Sequence, residues 1–187
     1  MHIPVLQTSR LTLRPFVADD AAALFAYASA PEFSQYVEYS SPTTLTETRD
    51  FLEHVLLPGN PDVFSWAVCR HDQSDVIGTV QVSRDVPDAV TVYYDISHTL
   101  YGRGYTTEAL QAVLRWCLVC LPEVQHFYGD TVVSNIGSRR VLEKCGFVFY
   151  KSERVQWEKF SGPVELVFYQ ADRKTLEAAP WNVFHHL

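Results

Sequence analysis

Leu11 to Phe16 alternates leucine with threonine and arginine and then meets Pro15, the pattern of a half-buried edge strand. From Asp19 and Asp20 the apolar period lengthens to that of a helix, which is expected to run through Ala30 and stop at Pro31. Thr44-Leu45-Thr46-Glu47 reads as a capping box that opens a second helix ending near Leu57 and Pro58. Three apolar runs follow: Phe64 to Arg70, Val76 to Ser83 and Val90 to Ser97. Only the short polar stretches 71–75 and 85–88 separate them, as in an antiparallel meander. A helical pattern then extends from about Tyr105 to Leu121 and closes at Pro122. A strand from Phe127 to Val133, a short helix, a strand through Val155, a turn at Ser161-Gly162-Pro163 and a last strand from Glu165 to Gln170 complete the series. This order predicts a mixed, mostly antiparallel α/β sheet with helices on both faces.

Composition narrows the class. The 187 residues are 47% hydrophobic and 20% charged, which suits one globular domain over 1–187, with a short C-terminal tail from about 174. No apolar run reaches the length of a membrane span, and Met-His-Ile-Pro-Val lacks a basic start and an apolar core, so a cytoplasmic location is expected. A net charge of −7 argues against a nucleic-acid surface and favours cationic acceptors. Cys117 and Cys120 form one C-x-x-C inside an apolar helix without a second pair, so no metal site is expected.

The chemistry concentrates at Tyr101-Gly102-Arg103-Gly104-Tyr105-Thr106-Thr107-Glu108-Ala109, between an aromatic strand and a helix. Two glycines two apart allow a tight turn with outward N–H groups. The helix N-terminus adds unpaired donors and partial positive charge, together a socket for a phosphate or pyrophosphate. No lysine follows Gly104, and position 107 is Thr, so neither the nucleoside-triphosphate loop nor the dinucleotide fingerprint is present. A second segment, Asn135-Ile136-Gly137-Ser138-Arg139-Arg140-Val141-Leu142-Glu143-Lys144-Cys145-Gly146-Phe147, reads as a short helix capped by Asn135 and ended by Gly146.

These two segments in this order, behind the opening Ser9-Arg10-Leu11-Thr12-Leu13-Arg14-Pro15-Phe16, resemble the GNAT acetyltransferases. The branch they are most similar to includes the bacterial ribosomal-protein N-terminal acetyltransferases, and the resemblance spans roughly residues 8 to 173. It implies the GNAT fold, acetyl-coenzyme A as donor without a metal, and direct transfer to a primary amine, either a small molecule or a protein N-terminus. In that reading the amides of Gly102, Arg103, Gly104, Tyr105, Thr106 and Thr107 hold the pyrophosphate, while Ile96, Ser97 and Asn135 meet the pantetheine arm. A tyrosine acid is common in the family seven residues after the Asn. That position is Leu142 here, and the branch with Leu there carries the hydroxyl of Ser138 instead. Thr99 stands where the family loop has Gln or Arg, and Tyr101 where it has Trp.

For the base, Asp95 interrupts the cofactor strand, where burial would raise its pKa toward a useful range. Glu38, His98 or water are the alternatives. The aromatics Tyr36, Tyr39 and Trp157 are expected to line the acceptor pocket and to bracket an amine. A non-catalytic acyl-coenzyme A binding module of the same fold is the competing reading. Monomer and homodimer remain equally open.

Overall fold

The computed structural model describes residues 3–57 and 59–182. Its elements are β1 (Leu6–Gln7), β2 (Leu11–Pro15), α1 (Ala21–Ala28), α2 (Leu45–Phe51), β3 (Val63–Arg70), β4 (Val76–Val86) and β5 (Ala89–Ile96). After the glycine loop come α3 (Tyr105–Cys120), β6 (His126–Val132), α4 (Ile136–Lys144), β7 (Val148–Val155), β8 (Val164–Asp172) and α5 (Arg173–Glu177). The strands form one sheet in the order β1-β2-β3-β4-β5-β6-β8-β7. Every neighbouring pair is antiparallel except β5 with β6.

The expected mixed sheet with helices on both faces is therefore present, with local corrections. The first helix ends at Ala28, two residues early, and the second continues through one π-helical turn, Leu52–Leu56. The expected end of that second helix at Pro58 lies outside the described residues. The capping box is half realised. Thr44 Oγ1 accepts from the Glu47 amide at 3.2 Å, but the Glu47 carboxylate reaches back one residue further, to the amide and hydroxyl of Thr43 at 2.8 and 2.9 Å. Strand β4 runs three residues beyond Ser83, and β1 and α5 were not expected. Two- and five-residue elements show no period to read.

The strand alternation sorts side chains onto two faces. On one, Ala67, Cys69 and Val76 of β3 and β4 pack against Phe16, Leu24, Tyr27, Leu52 and Leu56, and so lie under α1 and α2. On the other, Phe64, Trp66 and Val68 meet the apolar stripe of α3, where the Trp116 ring stands 4.9 Å from Phe64 and 5.0 Å from Trp66. Arg173 ties down the exit of α3, taking one carbonyl of its last turn and two just beyond it. Its guanidinium donates to Leu118 O at 2.9 Å, Leu121 O at 2.6 Å and Val124 O at 2.7 Å. Of the expected tail, Trp181 returns to α3 and accepts from Arg115 at 2.6 Å. Residues 183–187 lie outside the described residues.

The join between β5 and β6 positions the site. They pair over three residues only, Ala89 with His126, Val90 with Phe127 and Thr91 with Tyr128. Beyond Thr91 the strands part, while β5 stays zipped to β4 as far as Ile96 and β6 to β8 as far as Val132. A cleft thus opens in the middle of the sheet, toward the C-terminal ends of both strands.

Candidate active site

At the open end of β5 the chain passes a short turn at His98–Leu100 and reaches the glycine loop. Gly102 and Gly104 have φ of 74° and 78°, which a side chain would strain, and a Cβ on Gly102 would meet nothing within 4 Å. Helix α3 starts at Tyr105 with Gly104 as its cap, and its first in-helix bond is Glu108 N–H to Gly104 O at 3.1 Å. The amides of Tyr105, Thr106 and Thr107 therefore stand without helical acceptors, at the positive end of a 16-residue helix. The socket is buttressed from the N-terminal strand. Arg10 donates to Arg103 O at 3.0 Å and lies 4.5 Å over the Tyr105 ring. The Glu108 carboxylate accepts from Thr8 Oγ1, Ser9 Oγ and the Arg10 amide and guanidinium, at 2.6 to 3.0 Å. Burial is the largest single influence and would raise its pKa, but those hydrogen bonds together outweigh it and hold the carboxyl below its usual value. Beside the socket a cavity of about 490 Å³ is lined by Arg10, Thr107, Gln111, Arg115 and Lys144.

The cleft carries backbone and side-chain chemistry on both faces. Ser97 N–H bonds Ile77 O on β4 at 2.8 Å, so antiparallel alternation directs the backbone groups of Tyr94 and Ile96 the other way, into the cleft. On the α3 face, the Tyr94 hydroxyl lies 2.9 Å from Ser138 Oγ and 3.1 Å from Ser138 O. Asn135 caps α4 by accepting from the Ser138 amide at 3.1 Å, which fixes the first turn that carries this serine. Burial pushes the Tyr94 phenol above its ordinary value and outweighs the lowering by Ser138, so it stays protonated. Leu142 is fully buried. Gly129 makes room for it, because a Cβ there would come within 2.9 Å of Leu142 Cδ2.

On the α1 face, one residue along the strand, stands Asp95. Its Oδ1 accepts from Tyr27 Oη at 2.8 Å and from the Thr79 amide at 3.1 Å. The Thr79 hydroxyl gives the carboxyl a further hydrogen bond. Burial raises the carboxyl to about 6, and the bonds from Tyr27 and Thr79 only partly oppose it. Gly78 permits the close strand approach here, since a Cβ would sit 2.5 Å from the Asp95 carbonyl oxygen.

The expected acceptor residues divide. Tyr36 and Trp157 come together with Phe160, Val132, Val155 and Leu166 in one apolar cluster that bridges the α1–α2 loop and the β7–β8 connection. Tyr39 is about half exposed and leans on Phe33. Glu38, on the same loop, is exposed and makes no hydrogen bond or ion pair with a described residue. His98 keeps a buried Nδ1 without a hydrogen-bond partner among the described residues. Sequence reasoning missed Tyr27, Thr79 and Tyr94, which partner Asp95 and Ser138. It also missed Lys159, which ties the β7–β8 connection to the α1–α2 loop. Tyr94 alone had a local signal, being an aromatic residue on β5, the strand that leads into the glycine loop.

The sequence and the fold have counterparts. Residues 10–148 match the acetyltransferase (GNAT) domain model. The chain is 31% identical over 147 residues to the uncharacterized N-acetyltransferase p20 of Bacillus licheniformis, covering 76% of this chain and 81% of that one. Among solved structures it superposes on a GNAT-family acetyltransferase from Bacillus anthracis with a TM-score of 0.80 and 17% identity, over 91% of this chain and 99% of that one. It also superposes on the ribosomal-protein alpha-N-acetyltransferase RimL in complex with coenzyme A, with a TM-score of 0.78 and 18% identity, over 90% and 98%. Fold, socket and sequence therefore agree that the chain belongs to the GNAT family and is an acetyltransferase.

Proposed function

We propose that the protein moves an acetyl group from acetyl-coenzyme A directly to a primary amine, on a small molecule or a protein N-terminus. The single observation that carries this is the cleft, which offers a hydroxyl pair on one face and a carboxylate of raised pKa on the other. The residues fit the cofactor. Unpaired amides and left-handed glycines at the α3 N-terminus suit the pyrophosphate, and the free edges of Tyr94 and Ile96 suit a ladder with the amide-bearing arm. The bound thioester supplies an activated acetyl group.

The remaining steps fall to the chain. The acceptor approaches from the α1 face, and the Asp95 carboxylate takes the proton that the ammonium must lose before attack. With a value of about 6, Asp95 is mostly ionised at pH 7 and still basic enough to hold that proton. Ser138 Oγ, paired with the protonated Tyr94 hydroxyl, lies on the α3 face and hydrogen-bonds the departing sulfur. A cleft N–H from Tyr94 or Ile96 is in place to stabilise negative charge on the acetyl oxygen. Tyr36, Trp157 and Phe160 form the far wall of the acceptor side.

The test is an acetylation panel of N-terminal peptides and small amines, with coenzyme A release followed in wild type, Asp95→Asn and Ser138→Ala. The reading requires amine-dependent release that both substitutions depress while acetyl-coenzyme A still binds. Release that ignores the amine, or that both variants support at the wild-type rate, rejects it.

A further inference from the structure

The α1–α2 loop, residues 29–44, has no regular element of its own, yet three of its carbonyls converge on one side chain. The Lys159 ammonium, on the β7–β8 connection, donates to Ser34 O, to Val37 O at 2.9 Å and to Tyr39 O at 2.9 Å. An ammonium has three N–H donors, and all three are used. No described carboxylate forms an ion pair with it. Partial removal from water lowers its pKa, as expected for a cation held by neutral oxygens.

The tethered loop does not end in solvent. Tyr39 lies 6.3 Å from the Phe33 ring, Phe33 stands edge-on to Tyr27 at 5.7 Å, and Tyr27 Oη donates to Asp95. A contiguous column therefore runs from the carbonyls under Lys159 through three aromatic rings to the carboxylate in the cleft.

We infer that Lys159 is a positioning residue: by clamping three loop carbonyls it seats the Tyr39–Phe33–Tyr27 column over Asp95 and keeps water from that carboxylate. The inference rests on the reading of Asp95 as proton acceptor for its catalytic consequence, but not for its structural content. The groups that face Asp95 are the phenol of Tyr27 from α1, the amide and hydroxyl of Thr79 from β4, and, at longer range, the phenols of Tyr39 from the clamped loop and Tyr101 from the glycine loop. None is a cation. The state of Asp95 thus depends on how well the column excludes water.

Carbon-13 NMR of the labelled carboxylates in the full chain follows Asp95 directly. Lys159→Met should lower its midpoint by about one pH unit, because solvent entering the loosened loop restores hydration of the ionised form. Lys159→Arg, which keeps a cation with several donors, should recover most of that change. Coenzyme A affinity, measured by calorimetry, should stay within about twofold, since the socket lies at the α3 N-terminus on other elements. An unchanged Asp95 midpoint in Lys159→Met overturns the inference. So does a fall in coenzyme A affinity that matches the fall in stability, because the lysine would then be a general tether. If Lys159→Met does not fold, Lys159→Gln, with two donors and no charge, carries the same test. If the NMR midpoint moves while the acetylation pH profile does not, the positioning stands and the role of Asp95 as base fails.

Discussion

Asp95→Asn should make the protein more stable at pH 8 while it removes the acidic limb of activity. Tyr27 Oη and the Thr79 amide converge on Oδ1, with the Thr79 hydroxyl also bonding the carboxyl, and an asparagine oxygen can take the place of Oδ1. What the substitution removes is the buried charge. The folded carboxyl titrates at about 6 against an ordinary value of 3.8, with burial as the leading cause. The folded state therefore binds its proton more tightly than the unfolded chain. The contribution is most favourable below the unfolded value and is lost as pH rises through about 6. Fully buried, that displacement is worth about 3 kcal/mol. Asp95 is only partly buried at the mouth of the cleft, and screening there leaves about 1 to 2 kcal/mol. For a chain of this size such a gain raises Tm by about 2 to 8 °C at pH 8. Thermal unfolding of both proteins from pH 4 to 8.5 checks it. Their melting temperatures should be close near pH 4, part between about pH 4 and 6, and keep a nearly constant gap above that. A constant difference across the whole range, or an Asn variant that is less stable at pH 8, refutes the argument that burial dominates at this carboxyl.

Gly104→Val should weaken acetyl-coenzyme A binding about 10- to 100-fold by calorimetry, because a β-branched residue cannot hold φ of 78° without strain and the socket amides would turn away. Ser138→Ala should lower kcat about 10- to 1000-fold with little change in coenzyme A affinity, and pre-steady-state release of coenzyme A shows whether the chemical step is the one that slows. Gly78→Ala should cost about 2 kcal/mol or more by chemical denaturation, since its Cβ would lie 2.5 Å from the Asp95 carbonyl oxygen and force β4 and β5 apart.

The parts of this site that the sequence made legible are those written in adjacent residues. Gly102 and Gly104 announce a left-handed turn before a helix, and Asn135 with Gly146 brackets α4, because caps and positive-φ positions are local choices. Asp95 was legible as an anomaly, a carboxylate in an apolar strand. Its partner Tyr27 lies 68 residues away, and the oxygens that hold Lys159 lie 120 to 125 residues away. No period or spacing connects such pairs. Nor does strand alternation say where pairing stops. Val92 to Ile96 looks like any half-buried strand, although half of its backbone groups face a cleft rather than a neighbour. The doubled aromatic lining was legible as composition only. Tyr36 and Trp157 turn out to pack against one apolar cluster that joins two loops.

The three-residue join of β5 and β6 also bears on how the chain folds. Strands β1 to β5 are linked in sequence order by antiparallel pairings, so that half of the sheet can assemble from near neighbours. Strands β6, β8 and β7 form a second, separate antiparallel group, and the two groups meet through a parallel crossover that carries α3. Few main-chain bonds cross that boundary, so the two strand groups are expected to open as separate hydrogen-exchange units, coupled mainly by the shared core around α3. A molecule that bonds both lips of the cleft would act as the missing rungs between them. Cofactor binding should then do more than raise the melting point: it should merge two hydrogen-exchange units into one, with the amides of β6 and β8 gaining protection at a distance from any atom the cofactor touches.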